Sequence, residues 1–173
     1  MPRPPASLHT APLPTPFGEF RAHFSVAGLT RLDFPHQGER ADLQPVAALP
    51  PPFRAWAEQT QTALRVALTA SPRRSPKVTL PPLDLAVGTQ FRRRVWAELQ
   101  RIPRGQTRTY GELAEELGKH RAARAVGGAC GANPIPVLIP CHRVLAAKGG
   151  LGGFSGGLEW KRRLLAIEGV LLT

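Results

Sequence analysis

The 173-residue chain is poor in cysteine, with only Cys130 and Cys141, and it has one tyrosine and one methionine. Two thiols are too few for the disulfide framework of a small secreted scaffold. No apolar run approaches the roughly 20 residues of a membrane-spanning helix. Met1 to Pro16 is rich in proline and lacks the charged, apolar and small-residue order of a signal peptide. These absences predict a cytoplasmic chain with reduced thiols and no membrane partner. Acidic residues are also scarce, 12 Asp plus Glu against 23 Lys plus Arg, for a formal charge of +11. The imbalance is uneven: residues 1–88 carry 9 basic and 6 acidic side chains, residues 89–173 carry 14 and 6. A basic half of this kind points to a polyanionic partner, with a solubility charge or an Arg-rich composition as the plainer alternative.

What is present divides into two regions. The hydrophobic fraction of 42% supports a packed core, while 17 glycines and 19 prolines announce many turns. Residues 1–16 read as a loose arm. Gly18 to Val26 and Leu29 to Phe34 read as two strands around Ala27-Gly28. Residues 35–50 read as loop. Phe53 to about Leu68 has helical periodicity, with Phe53, Trp56, Ala57, Leu64, Ala67 and Leu68 on one face. Ser71 to Lys77 is a basic turn, and Leu83, Leu85 and Val87 alternate as in a strand. A helix from about Thr89 to Gln100 turns Phe91, Val95, Trp96 and Leu99 inward, with Thr89 as N-cap. The boundary falls near residues 80–88, giving an N-terminal α/β domain over 1–82 with its Pro-rich arm and a mainly α domain over 83–173.

The second domain contains a helix-turn-helix pattern. Thr109 precedes Glu112 at capping-box spacing, and Gly118 ends that helix. A second helix runs from near Arg121 through Ala129. Apart from Arg121 and Arg124 it is built of Ala, Val and Gly, with little to read base edges in a major groove. Small side chains let a backbone approach closely, which suits a minor groove, or equally a tight core. Beyond it, the strand-like run Val137-Leu138-Ile139 leads into Pro140-Cys141-His142-Arg143-Val144. A glycine-rich segment (149–157), a helix from Leu158 to Ile167, and Glu168-Gly169 follow. Cys141 as nucleophile needs a lowered pKa or a base. His142 is the nearest base, acting through a water because adjacent side chains diverge, and Glu168 is a candidate to orient it. The competing reading of the pair is a buried structural cysteine beside a structural histidine.

Ile139-Pro140-Cys141-His142-Arg143-Val144-Leu145, preceded by Asn133-Pro134-Ile135-Pro136 and followed by Phe154-Ser155-Gly156-Gly157, resembles the active-site region of the O6-alkylguanine-DNA alkyltransferases. The similarity runs from about Val87 to Gly169. It includes Gly88-Thr89-Gln90-Phe91, Thr109-Tyr110-Gly111-Glu112-Leu113 and Ala122 to Gly128. The resemblance implies an RNase H-like small sheet in the first domain and a winged-helix-like second domain. It implies stoichiometric transfer of an alkyl group from O6-alkylguanine in double-stranded DNA to Cys141, with minor-groove binding, base flipping, no cofactor and a monomeric protein. O4-alkylthymine is a further substrate it leaves open.

Residue by residue, the resemblance makes Cys141 the acceptor, His142 and Glu168 the base and its orienting acid, and Asn133 a link between recognition helix and active-site turn. It makes Arg124 the finger filling the gap left by the flipped base, on a DNA-binding face with Arg121, Ala125 and Gly128. Tyr110 assists flipping and donates to the guanine ring. Ser155, Val144, Phe154, Gly156 and Cys130 line the pocket. Cys130 stands where many relatives carry a larger apolar residue, and Phe154 where several carry tyrosine. Some relatives bind zinc in the first domain. Residues 1–88 offer only His9, His23 and His36 and no cysteine, so no metal is expected. The alternatives are a non-catalytic sensor of the same fold, a Cys-His acyl hydrolase with turnover, and a major-groove transcription factor.

Overall fold

The computed structural model describes residues 9–35, 43–70 and 76–171. The start of the Pro-rich arm, residues 36–42 of the expected loop and most of the basic turn at 71–77 lie outside them. The chain divides into two compact units. The first comprises residues 1–67 and 76–87, the second 68–75 and 88–173.

The first unit is a three-stranded antiparallel sheet, β1 (His9–Thr15), β2 (Gly18–Ser25) and β3 (Gly28–Asp33), in the order β1-β2-β3. β1 corrects the expectation of a loose arm over 1–16. Pro12 and Pro14 disguise it, but β1 lies at the sheet edge, where one row of backbone N–H groups needs no partner. Its register pairs Ala11 with Ala22 and Leu13 with Phe20. These four and Phe24 are fully buried, one side of the pleat facing the core. Helix α1 (Phe53–Thr69) supplies the facing layer, burying Ala57, Thr60, Ala63 and Leu64. The Trp56 ring lies 6.5 Å from that of Phe24. Thr60 is accommodated because its hydroxyl donates to the Trp56 carbonyl at 2.7 Å.

Two further expectations are corrected here. The β2–β3 turn is Val26-Ala27, and Gly28 already belongs to β3. Gly28 has φ of 139°, and a Cβ there would sit 2.1 Å from the Pro82 carbonyl oxygen. That close approach lets the Leu29 N–H donate to Pro82 O and the Asp84 N–H donate to Leu29 O, both at 2.8 Å. Leu83 to Val87 is therefore a single bridge at Leu83 rather than a strand, and the segment lies in the first unit.

The second unit is mainly helical. Helix α2 (Gln90–Leu99) is capped by Thr89, whose hydroxyl accepts from the Arg92 N–H, and it buries Val95, Trp96 and Leu99. Two residues of strand β4 (Arg108–Thr109) lead into α3 (Tyr110–Glu116). The expected capping box is complete: Thr109 Oγ1 accepts from the Glu112 N–H at 3.1 Å, and Glu112 Oε2 accepts from the Thr109 N–H at 2.6 Å. Gly118, at φ of 69°, stops the helix. Helix α4 (Ala123–Gly131) follows, and Trp96 Nε1 donates to the Ala129 carbonyl at 2.9 Å, tying α4 to α2. The short strand β5 (Val144–Leu145) pairs in parallel with β4, and α5 (Leu158–Ile167) closes the unit. No described helix is long and apolar enough to cross a membrane.

Candidate active site

The β4–β5 pairing places the start of α3 next to the turn that carries the thiol. Tyr110 directly follows β4, and the helical turn Cys141–Arg143 directly precedes β5. The chain reaches that turn by a tight bend, not by the strand-like run expected at Val137 to Ile139. Val137 is buried with φ of 73°. A β-branched residue there is strained by on the order of 1–2 kcal/mol. Asn133 holds the bend closed: its Nδ2 donates to Ile139 O at 2.8 Å, and its Oδ1 accepts from the Ile135 N–H at 3.0 Å. The same Nδ2 lies 3.1 Å from Cys141 Sγ and donates to it. One buried amide thus connects the end of α4, the bend and the thiol.

Cys141 and His142 are both buried. Burial pushes the Cys141 thiol up to about 11, against the pull of the Asn133 hydrogen bond and the Lys161 ammonium. His142 Nε2 lies 3.0 Å from Glu168 Oε1. Burial works to raise the Glu168 carboxyl, but hydrogen bonds from His142 and Arg143 prevail and hold it at about 2. Glu168 is therefore an ionised, acceptor-only group, and His142 must carry its proton on Nε2 when neutral. Nδ1 is then an acceptor, and it is buried with no hydrogen-bond partner among the described residues. The thiol thus has a neutral imidazole beside it in the chain, oriented as the histidine of a triad is oriented by its acid.

The same unit holds a cavity of about 520 Å³, within the roughly 300–1,000 Å³ of small-molecule sites. Tyr110, Ala123, Arg124, Gly127 and Gly131 form its helical side, and Gly153, Phe154 and Ser155 its loop side. Of the expected pocket residues, Phe154 and Ser155 line it, and Phe154 stands edge-on to the His142 ring at 6.4 Å. Cys141, Val144 and Cys130 are buried and outside its lining, as is half-buried Gly156. Arg121, Ala125 and Gly128 are exposed and also outside it, on or just before α4. Burial pushes the Cys130 thiol up to about 12, with the neighbouring Cys141 adding to the effect. Among the described residues, no group of three or more His, Cys, Asp or Glu is gathered to hold a metal.

Three features escape motif reading. Lys161 is fully buried on α5. Its Nζ donates to Val144 O at 2.6 Å, to Gly153 O at 3.4 Å and to Leu151 O, so one ammonium gathers β5 and the glycine-rich loop. Its sequence signal is its spacing of three and four from the buried Leu164 and Leu165. Gly152, at φ of 68°, lies so close to Tyr110 that a Cβ would be 2.7 Å from the phenol oxygen. Arg143 forks onto Glu168, with Nε 2.9 Å from Oε2 and Nη2 2.8 Å from Oε1.

The architecture defines a class: a small α/β unit joined to a helical unit that holds a buried thiol, an imidazole–carboxylate pair and a cavity lined in part by a small-residue helix. The comparisons make it specific. Residues 90–170 match the family model for the 6-O-methylguanine DNA methyltransferase, DNA binding domain. A crystal structure of Mycobacterium tuberculosis OGT in complex with DNA is 38% identical, with 93% of this chain and 92% of that one covered and a TM-score of 0.70. The O6-methylguanine-DNA methyltransferase of Pyrococcus kodakaraensis is 26% identical over 94% of this chain and 99% of that one, at a TM-score of 0.64. A methylated-DNA–protein-cysteine methyltransferase of Mycolicibacterium paratuberculosis is 58% identical over 86 residues. That match spans 50% of this chain and 52% of the relative, about half of each. The chain belongs to the O6-methylguanine-DNA methyltransferase family, and its mixed α/β fold is the fold of that family.

Proposed function

We propose that this chain repairs double-stranded DNA by transferring an alkyl group from O6-alkylguanine to its own Cys141, once per molecule. The observation that carries this reading is the thiol held by Asn133 Nδ2 at 3.1 Å beside an imidazole fixed by Glu168, in the same unit as a cavity edged by Arg124 and Tyr110.

A guanine inside a duplex is out of reach of a buried thiol, so the damaged base is flipped into the cavity. Helix α4 enters the minor groove, where Ala125 and Gly128 permit close approach. Arg124 fills the gap in the base stack, and Arg121 meets phosphate. The loop N–H of Ser155 meets O6, and the Tyr110 hydroxyl donates to the ring. Val144, Phe154, Gly156 and Cys130 shape the pocket around the base. The thiol proton passes through a water to His142 Nδ1. Cys141 Sγ bonds to the alkyl carbon as the carbon–O6 bond breaks, and the electron pair goes to O6 and the ring, where donors stabilise it. The Tyr110 hydroxyl passes a proton to the ring nitrogen to complete guanine and regains one from solvent. His142 releases to solvent the proton taken from the thiol, so that protons balance. The thioether offers water no carbonyl to attack, so the transfer is irreversible. O4-alkylthymine presents the same kind of bond and is the second substrate of this chemistry. The sheet with α1 supports an RNase H-like reading of the first unit, and α3–α4 a winged-helix-like reading of the second, in a protein that acts as a monomer.

The test is the stoichiometry of repair. Duplex DNA carrying one O6-methylguanine, mixed with increasing protein, should lose its methyl group one-for-one and no further. Many methyl groups removed per molecule would contradict the reading and favour a hydrolase.

A further inference from the structure

The Glu168 carboxylate has about four lone-pair sites, and four donors occupy them. Oε1 accepts from His142 Nε2 at 3.0 Å and Arg143 Nη2 at 2.8 Å. Oε2 accepts from Arg143 Nε at 2.9 Å and the Gly105 N–H at 3.3 Å. A second guanidinium, Arg104 Nη1, stands 3.7 Å from Oε1. One buried carboxylate therefore faces two fixed positive charges before the imidazole is counted. Arg143 is itself pinned, its Nη1 donating to Ile102 O at 2.6 Å. In an isolated Glu–His pair the negative charge favours the imidazolium. Here two guanidinium groups lie against the same carboxylate and oppose that effect.

We propose that Arg143 is a positioning residue that acts through Glu168: its fork leaves the carboxylate to orient His142 while opposing its charge, so that the imidazole stays neutral and Nδ1 stays an acceptor. This rests on the proposed role of His142 as the base for Cys141. The charged groups acting on His142 are Glu168 at the end of α5, Arg143 beside it and Lys161 on α5, while Arg104 from the segment after α2 reaches the Glu168 carboxylate. Burial lowers the His142 pKa most, Glu168 raises it, and Arg143 and Lys161 lower it further. A purely structural ion pair would change stability and leave the protonation of His142 alone.

The experiment follows the His142 ring nitrogens by 15N NMR across pH in the wild type, Arg143→Gln and Arg143→Lys, alongside the pH profile of single-turnover alkyl transfer. The wild type should hold the neutral Nε2–H tautomer to below the ordinary imidazole value of about 6.5. In Arg143→Gln, His142 should protonate at higher pH, and the acid limb of transfer should move the same way. Each unit of that movement lowers the rate on the acid limb tenfold. Arg143→Lys keeps the charge and should keep the low titration. Wild-type His142 titrating at or above the ordinary value would overturn the proposal, whether or not Arg143→Gln folds. So would a folded Arg143→Gln with unmoved titration, or an Arg143→Lys shifted as far as Arg143→Gln. If the titrations move as expected but the wild type transfers no alkyl group, the role of Arg143 stands and the repair reading falls.

Discussion

Replacing Glu168 with Gln keeps the shape of the side chain and removes the charge on which three neighbours converge. The cost can be worked from the carboxyl itself. It titrates at about 2 in the fold against an ordinary 4.5. Roughly 2.5 units at 1.36 kcal/mol each make the ionised form worth roughly 3 kcal/mol of stability at pH 7. Breaking one partner out of a buried ion pair costs about 3–5 kcal/mol by mutational experience, which agrees. The pH dependence has a definite sign. A depressed carboxyl contributes fully above its unfolded value and loses that contribution as pH falls towards the folded one. The wild-type advantage should therefore hold from pH 7 down to about 5 and shrink to roughly 1.5 kcal/mol at pH 3. Urea unfolding of both proteins at pH 7 and pH 3 measures this, and taking the difference removes the response of the other 11 acidic groups. A gap below about 1 kcal/mol at pH 7, or one unchanged at pH 3, would refute the reasoning.

Other outcomes follow from the same geometry. Gly152→Ala puts a Cβ 2.7 Å from the Tyr110 hydroxyl at a left-handed backbone position. It should lose about 1 kcal/mol of stability and slow transfer about tenfold through the displaced phenol, as single-turnover kinetics would show. Thr109→Ala removes the capping box of α3 and should lower stability by about 1 kcal/mol in denaturant titration, with Thr109→Ser close to neutral. Binding to duplex DNA should weaken linearly in log–log plots as salt rises, and Arg121→Ala should flatten the slope by about one.

Much of the site was legible because its chemistry sits in short, contiguous stretches. Cys141 and His142 are neighbours, and the capping box at Thr109 and Glu112 is a local signal that the structure completes. The partnership of His142 with Glu168 joins residues 26 apart, and no periodicity encodes it. Lys161 was hidden because a buried lysine looks like the polar side of a helix until three carbonyls are seen around it. Local propensity failed where tertiary contacts decide. β1 carries prolines that only an edge strand tolerates. The Leu83 segment makes one bridge because the Pro82 carbonyl rests against Gly28. Val137, a strand former by type, is bent into a positive-φ turn by Asn133.

The central claim is that Cys141 is the alkyl acceptor. Incubation with duplex DNA carrying O6-methylguanine, followed by intact mass and peptide mapping, tests it directly. The account predicts a single added methylene on the peptide containing Cys141, none on Cys130, and none in Cys141→Ala. An unmodified Cys141 in folded protein that has emptied the lesion, or a methyl group found on Cys130, would contradict it.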